Sequence, residues 1–296
     1  MGIQELMGSY VAIVTPMSSN GDVDYAALEK LIEFHVANGT HGIVSVGTTG
    51  ESATLSVDEH ISVVDFTVKQ VAGRVQVIAG TGANSTSEAI HLTRLASNLG
   101  VDACLLVVPY YNKPTQEGLY QHFKAISVAV DIPQILYNVP GRTVLSMDNA
   151  TVERLAGFNN IIGIKDATGD PELGADLIKR VSNQMTVLSG DDLTALDLIK
   201  LGGKGNISVT ANISPQRMSQ MCVAGVNGDY ETADRINTEL AEVSQALFVE
   251  SNPIPVKWAL EKMGMIQTGI RLPLTRLSEN QQTVLTNAMQ QAGLIE

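Results

Sequence analysis

A regular alternation of short apolar runs with longer amphipathic stretches is the feature that most constrains what this chain can fold into. The apolar runs start about 20 to 35 residues apart, which is the length of one strand and one helical crossover. Eight runs are predicted as strands, at residues 10–15, 42–46, 75–79, 103–108, 134–137, 161–165, 186–188 and 206–209. Open doubly wound sheets usually stop at about five to seven strands, so eight units predict an α/β fold, the closed (β/α)₈ TIM barrel.

Four predicted helices begin with a capping signal, in which a side-chain oxygen accepts a bond from a free backbone N–H group. Two signals fit a reciprocal capping box, and two place the capping side chain before a proline. They are Ser56 with Glu59, Ser85 with Glu88, Asp170 before Pro171 and Ser214 before Pro215. These signals place helices directly after the strand exits.

Beyond the eighth strand the pattern is helical, at residues 215–224, 230–249, 253–263 and 279–291. One helix is needed to close the barrel. The remainder predicts a helical extension, so the expected organisation is a barrel domain at residues 1–227 and a C-terminal helical extension at 228–296.

Composition narrows the possible partners and locations. The 296 residues carry a net charge of -12, which repels nucleic acid and anionic membranes. No segment reaches the roughly 18 apolar residues of a membrane span, and no basic leader precedes an apolar core, so a cytoplasmic location is expected. Cys104 and Cys222 lack metal or redox spacing and are expected to be reduced core residues.

Two short motifs resemble cofactor or metal sites without completing them. Gly80-Thr81-Gly82 lacks the third glycine of a dinucleotide fingerprint, so no cofactor is predicted. Asp191-Asp192 favours capping of the following helix over magnesium binding. The five histidines form no His-x-x-x-His pair, so no metal is predicted.

Lys165 ends the sixth predicted strand. A strand buried on both faces desolvates a lysine at its exit, and desolvation lowers the lysine pKa from about 10.4 toward neutrality. The neutral amine attacks carbonyl carbons, so Lys165 is predicted to be a Schiff-base nucleophile. The alternative is a lysine whose stem packs on the strand while its head reaches solvent. Lys165 alone favours that alternative, and its neighbours favour the nucleophile.

Other polar residues follow the strands and would converge at the same end of a barrel. Gly47-Thr48-Thr49-Gly50 offers hydroxyls and backbone N–H groups that suit a carboxylate, or it is only a turn. Tyr137 is placed to shuttle protons, or its ring lies in the core with the hydroxyl hydrogen-bonded. The fork of Arg142 suits a second carboxylate, or it is a solvated loop arginine.

Four motifs, in order and at matching intervals, resemble the dihydrodipicolinate synthase family over nearly the whole chain. They are Gly47-Thr48-Thr49-Gly50-Glu51, Tyr137-Asn138-Val139-Pro140, Gly163-Ile164-Lys165-Asp166 and Asn252-Pro253-Ile254-Pro255-Val256-Lys257. The resemblance implies a lyase that condenses pyruvate with L-aspartate 4-semialdehyde, the first committed step of the diaminopimelate route to lysine. It implies no cofactor.

The resemblance also implies roles for single residues. Lys165 would form the imine with pyruvate, which tautomerises to an enamine that attacks the aldehyde. Tyr137 would donate and accept protons, linked through Thr48 to Tyr111, which in the family crosses a dimer interface into the neighbour's site. Substrate binding is implied for Thr49, Gly190 and Ile207 toward pyruvate, and for Arg142 toward the carboxylate of the semialdehyde.

Many members of the family are inhibited by lysine at a cleft between subunits. The matching positions are Ser52, Ala53, His60, Asn84, Glu88 and Tyr110. Val57 stands where inhibited relatives often carry histidine, which leaves the strength of inhibition open. Glu88 also has a structural explanation in its capping box.

Two other functions stay open at this point. The first is another pyruvate-dependent aldolase, such as N-acetylneuraminate lyase, whose members typically show serine in place of Thr48 and lack Arg142. The second is a non-catalytic barrel that binds a 2-oxo acid or lysine. The family is usually a homotetramer built as a dimer of dimers, so that assembly is expected.

Overall fold

The computed structural model describes residues 6–296, in which eight parallel strands close into one barrel in sequential order. The predicted (β/α)₈ barrel is therefore confirmed. Its strands are β1 (Gly8–Ala12), β2 (Gly42–Ser45), β3 (Gln76–Gly80), β4 (Ala103–Val107), β5 (Gln134–Asn138), β6 (Ile161–Asp166), β7 (Thr186–Ser189) and β8 (Gly205–Ser208).

Helices follow the strands and cover the outside of the barrel. They are α1 (Tyr25–Ala37), α2 (Val57–Val71), α3 (Thr86–Asn98), α4 (Gln116–Ala129), α5 (Pro140–Thr143), α6 (Asn149–Leu155), α7 (Pro171–Val181), α8 (Ala195–Lys200), α9 (Pro215–Val226), α10 (Tyr230–Ala246), α11 (Ile254–Lys262) and α12 (Glu279–Gln291). Short 3₁₀ turns lie at Ser52–Thr54 and Thr210–Asn212.

Alternation along the strands decides which side chains enter the barrel. On β5, Ile135 and Tyr137 belong to the apolar cluster inside the barrel, whereas Leu136 packs outward against the helices. On β6, Ile164 packs outward with Leu136. Lys165 is the register partner of Tyr137, so both side chains lie on the inner face at neighbouring strand ends.

The C-terminal extension shares one apolar core with the barrel. A single cluster of buried residues runs from Leu28 and Ile43 on the barrel side to Leu240 on α10 and Leu285 on α12. The extension is therefore packed on the barrel by side chains of both parts. The boundary at residue 227 stays a prediction, and it falls between α9 and α10.

Two of the four capping signals act as predicted. Ser56 accepts from the backbone N–H of Glu59, whose carboxylate accepts from the N–H of Ser56, so this capping box is complete. Asp170 accepts from the backbone N–H groups of Glu172 and Leu173 at the start of α7.

The other two predicted caps are incomplete or wrong. Ser85 accepts from the N–H of Glu88 at 3.5 Å, but the Glu88 carboxylate does not return the bond. Ser214 makes no cap bond to α9, because its hydroxyl accepts from Nε of Arg217 instead.

Three further observations bear on the predicted partners. Among residues 6–296, no helix is long and apolar enough to cross a membrane. The same part of the chain contains no group of three or more His, Cys, Asp or Glu side chains placed to hold a metal ion. Cys104 and Cys222 are buried free thiols, and burial raises the pKa of Cys104 to about 12.

Candidate active site

A cavity of about 120 Å³ lies at the C-terminal ends of the barrel strands. Six of the eight residues predicted for catalysis and substrate binding line it together: Thr48, Thr49, Tyr137, Arg142, Lys165 and Gly190. These residues come from the exits of strands two, five, six and seven, which only a closed barrel brings to one axis.

Lys165 is buried at the wall of this cavity, with 5% of its surface exposed. Burial lowers its pKa from 10.5 to about 8; the Asp192 carboxylate raises it and the Arg142 guanidinium lowers it. The Lys165 Nζ atom lies 4.3 Å from the centroid of the Tyr137 ring. The predicted solvent-exposed alternative for this lysine is therefore wrong.

Gly190 leaves room for the lysine. A Cβ atom at position 190 would lie 2.6 Å from Cε of Lys165 and 3.0 Å from Cβ of Ala167. Atoms at such distances overlap, so any larger residue would displace the Lys165 side chain.

Tyr137 carries a phenol that is buried beside the amine. Burial raises its pKa, while the Arg142 guanidinium and a hydrogen bond with Thr48 lower it. The phenol is therefore protonated at neutral pH and is hydrogen-bonded to a second hydroxyl. A phenol held in a fixed position can donate a proton to a bound substrate and later accept a proton from it.

Asn252, in the segment before α11, joins two loops of the cavity. Its Nδ2 atom donates to Oγ1 of Thr49 at 2.9 Å, and its backbone carbonyl accepts from Nη2 of Arg142 at 3.2 Å. Asn252 and Thr49 are both buried. The sequence gives Asn252 no role of its own, since no local pattern predicts a contact across 203 positions.

A buried ion pair lies behind that contact. The Lys257 ammonium of α11 is paired with the Glu51 carboxylate and also donates to the backbone carbonyl of Thr15 at 3.1 Å. The other Glu51 oxygen accepts from the backbone N–H of Arg271 at 3.2 Å. No local pattern in the sequence indicates this pair, whose members are 206 positions apart.

The capping prediction for Asp191-Asp192 is wrong, because within the described part of the chain α8 has no side-chain cap bond and the Asp191 carboxylate bonds only Thr194, the residue before the helix. Asp191 accepts from the backbone N–H and the hydroxyl of Thr194, at the start of α8. Asp192 does not act there: it is buried and accepts from Nδ2 of Asn206 and from the backbone N–H and hydroxyl of Thr210. The Asp192 carboxylate also raises the pKa of Lys165.

Two predicted site residues do not line the cavity within this chain. Ile207 is buried in the apolar cluster inside the barrel, where it pairs with Tyr10 of β1, and Val209 lines the cavity instead. Tyr111 is 90% exposed, with a φ of 76°, on the loop after β4. It points to no partner among residues 6–296.

A second cavity, of about 380 Å³, adjoins the first, and both are lined by Thr48, Val139, Arg142 and Asn252. Of the residues predicted for lysine, three line this second cavity: Ser52, Ala53 and Tyr110.

Of the other three predicted lysine residues, Asn84 and Glu88 lie near Tyr110, and His60 is a residue of α2. The Nδ2 atom of Asn84 donates to the Tyr110 carbonyl at 3.2 Å. Burial raises the pKa of the Tyr110 phenol, and the Glu88 carboxylate raises it further, so that carboxylate lies near the phenol. His60 is buried, and burial lowers its pKa.

Comparison with known proteins gives four consistent matches. The profile of the dihydrodipicolinate synthetase family matches residues 5–292. The chain is 60% identical over 290 residues to 4-hydroxy-tetrahydrodipicolinate synthase of Pseudomonas putida (strain W619), covering 98% of this chain and 99% of that relative.

Two solved structures are similar over nearly their whole length. The crystal structure of the chloride-inhibited dihydrodipicolinate synthase from Acinetobacter baumannii, complexed with pyruvate, has a TM-score of 0.97 and 56% identity, covering 98% of this chain and 100% of that one. The enzyme from Cyanidioschyzon merolae with lysine bound has a TM-score of 0.94 and 41% identity, covering 98% and 99%.

Proposed function

The chain belongs to the dihydrodipicolinate synthetase family, and from this premise we propose that it is a 4-hydroxy-tetrahydrodipicolinate synthase, a lyase that condenses pyruvate with L-aspartate 4-semialdehyde. The observation that carries the proposal is the Lys165 amine, buried in a cavity with a pKa of about 8. The similar enzyme from Acinetobacter baumannii is complexed with pyruvate, a substrate with the ketone that such an amine attacks.

The first step is capture of pyruvate. The neutral Lys165 amine adds to C2 of pyruvate, and the oxygen at C2 leaves as water after taking two protons. Tyr137 is the group that delivers and recovers a proton at this stage, because its phenol lies beside the amine and shares a hydrogen bond with Thr48. The product is an iminium ion at Lys165.

The second step forms the carbon–carbon bond. The iminium withdraws electrons, so the pyruvate methyl group loses a proton to the Tyr137 phenolate left by the first step, and the iminium becomes an enamine. The enamine carbon attacks the aldehyde carbon of the semialdehyde, whose oxygen takes a proton from Tyr137. The amino group of the same molecule then adds to C2 and expels the Lys165 amine, which closes the ring and restores the free enzyme.

Both substrates carry a carboxylate, whereas the protein carries a net charge of -12. Local donors must therefore hold them. Thr49 and the backbone N–H groups of the 47–50 loop suit the pyruvate carboxylate, with Gly190 and Val209 on the apolar side of the cavity. The Arg142 guanidinium, on the shared wall of the two cavities, suits the carboxylate of the semialdehyde.

The direct test is turnover with defined substrate pairs. The purified protein is supplied with pyruvate and L-aspartate 4-semialdehyde, and separately with pyruvate and N-acetylmannosamine. We expect turnover only of the first pair, and loss of that turnover in Lys165→Ala with the fold retained by circular dichroism. Turnover of the sugar alone would assign the chain to the neuraminate-lyase type instead.

We also propose that Tyr111 completes the neighbouring subunit's site in a homotetramer made of two dimers. Its 90% exposure supports this role, because an exposed tyrosine of that kind is available to a partner. The matched test mixes Tyr111→Phe with Lys165→Ala subunits after dissociation. Only hybrid dimers hold one complete site, so about a quarter of wild-type activity should return, since half the dimers are hybrids with one of two sites intact. No return of activity would place Tyr111 outside the partner's site, and light scattering gives the assembly size.

Inhibition by L-lysine at the second cavity is a further part of the proposal. Ser52 and Tyr110 line that cavity, and the carboxylate of Glu88 near the Tyr110 phenol suits an ammonium group. Val57, the first residue of α2, is 41% exposed and offers no hydrogen bond. Lysine should inhibit the enzyme, and Val57→His, which adds a hydrogen-bonding side chain, should lower the inhibiting lysine concentration. Unchanged activity at saturating lysine in both proteins would contradict lysine inhibition at this cavity.

The cytoplasm is the proposed location. The two free buried thiols support it, because reducing compartments keep cysteines in this form.

A further inference from the structure

The C-terminal extension reaches the substrate cavity through two parallel contacts with one loop. Thr49 of that loop is bonded by Asn252, and Glu51, two positions later, is paired with Lys257, five positions after Asn252. All four side chains are buried, with at most 5% exposure. The loop at the exit of β2 is therefore fixed to the 252–257 segment at two points.

The first contact determines where the Thr49 proton points. A threonine hydroxyl has one proton to donate and accepts through its lone pairs. Because Nδ2 of Asn252 donates to Oγ1, the hydroxyl acts as an acceptor on that side and keeps its proton for a second partner. The cavity lined by Thr49 and Lys165 is the place where an anionic second partner would bind. Hydrogen bonds arranged in such a row strengthen one another.

The same residue also fixes the second cation of the site. The backbone carbonyl of Asn252 accepts from Nη2 of Arg142, whose guanidinium lines the cavity from α5, the short helix after β5. Asn252 therefore sets the spacing between Thr49 and Arg142, the two groups to which the proposed function gives the two carboxylates.

We infer that Asn252 is a positioning residue that turns the Thr49 hydroxyl toward the carboxylate of pyruvate and so sets the affinity for that substrate. The inference rests on the proposed function for the identity of the anion. It assigns to the helical extension a part in substrate binding, while the chemistry at Lys165 stays with the barrel.

The test measures how trapping of pyruvate on Lys165 by cyanoborohydride depends on pyruvate concentration. Asn252→Ala removes the donor, so the half-saturating pyruvate concentration should rise about tenfold, the effect of losing one well-directed bond to a charged group. The maximal trapped amount should not change. Asn252→Asp has the same shape but only accepts, so Thr49 must turn its proton away from the cavity, and the rise should be larger than for Ala.

A double variant separates this role from a general loss of structure. In a Thr49→Val background no hydroxyl remains to be turned, so Asn252→Ala should cause no further rise. Asn160→Ala is the matched control, because its amide bonds Ser127 and Val130 far from the cavity, and it should lower stability without changing half-saturation.

The outcomes distinguish the positioning role of Asn252 from the proposed function of the protein. An unchanged half-saturation in Asn252→Ala and Asn252→Asp, or equal effects of Asn252→Ala with and without Thr49, would overturn the positioning role while leaving the proposed function intact. Absence of any trapped pyruvate in the wild-type protein would overturn the proposed function, and the inference with it.

Discussion

The rate at which Lys165 captures pyruvate should rise with pH and level off above about 8, because only the neutral amine is nucleophilic and burial has lowered its pKa to about 8. At pH 7 a lysine with this pKa is roughly one-tenth neutral, whereas one with a pKa of 10.5 is neutral in about one molecule in 3,000. The surroundings of Lys165 therefore supply about 300-fold more free amine at pH 7. Between pH 6 and 7 the rate should increase about tenfold, and above pH 9 it should be nearly constant.

The assay is trapping of the imine by cyanoborohydride at limiting pyruvate, between pH 6 and 10, followed by peptide mass analysis. Lys257 is an internal control in the same molecule, because it is also buried but is paired with Glu51 and does not line the cavity that holds Lys165. The adduct should appear on Lys165 alone. Arg142→Ala should move the profile to higher pH, since the guanidinium lowers the pKa of Lys165.

Three results would contradict this prediction. A rate that still rises steeply between pH 8 and 10 would mean that Lys165 keeps an ordinary pKa. A rate independent of pH from 6 to 9 would mean that release of the lysine proton does not limit capture. An adduct on Lys257 would show that burial alone, without the cavity, suffices for reaction with pyruvate.

Three other substitutions test the energetics of the site. Lys165→Met should raise the free energy of unfolding in urea at pH 7 by up to about 3 kcal/mol. The pKa of Lys165 is lower in the folded than in the unfolded protein, so the buried ammonium destabilises the fold fully below pH 8, and this cost fades as the pH rises toward 10.5. An unchanged free energy of unfolding would contradict the desolvation of Lys165. Lys257→Met should lower the free energy of unfolding by about 3 to 5 kcal/mol because the Glu51 carboxylate stays buried without its partner. Adding Glu51→Leu to the same chain should restore much of this loss. Equal losses in the single and double variants would show that the unpaired Glu51 carboxylate is not the cause. Gly190→Ala should reduce imine trapping by about 100-fold with an unchanged melting temperature, because the new Cβ would overlap Cε of Lys165. Normal trapping would show that the Lys165 side chain can take another reactive position.

The barrel could be predicted because its determinants are local. Strand alternation, helix periodicity and most caps depend on residues within a few positions of one another, and all eight strands formed where runs of apolar residues predicted them. The ends are less predictable. The first strand was predicted at residues 10–15 but is formed by Gly8–Ala12, because the chain leaves the sheet there and Thr15 turns its hydroxyl to Gly50 and its carbonyl to Lys257.

The site was predictable only as far as strand ends define it. Lys165 and Tyr137 follow from their positions on adjacent strands, which the order of the barrel fixes. The contact of Asn252 with Thr49 and the Glu51–Lys257 pair link positions more than 200 residues apart, and no spacing or composition indicates them. The sequence predicts a helix cap at Asp192 because an aspartate before a helix usually is one, but the partners of Asp192 lie on β8 and directly after it.

The reactive groups and the substrate-binding groups of the site are held by different parts of the fold, and only the first are predictable from the strand pattern. The reactive amine and phenol are held by neighbouring strands, whose hydrogen-bonded register leaves them little freedom. The groups suited to substrate carboxylates lie outside the sheet, Thr49 on the loop after β2 and Arg142 on the short helix α5, and such connecting segments are more mobile than the strands. Their fixed positions come from Asn252, supported by the buried ion pair at Lys257. Changes in the 252–257 segment should therefore weaken substrate binding while leaving the lysine reactive, whereas changes in β5 or β6 should remove the reaction itself.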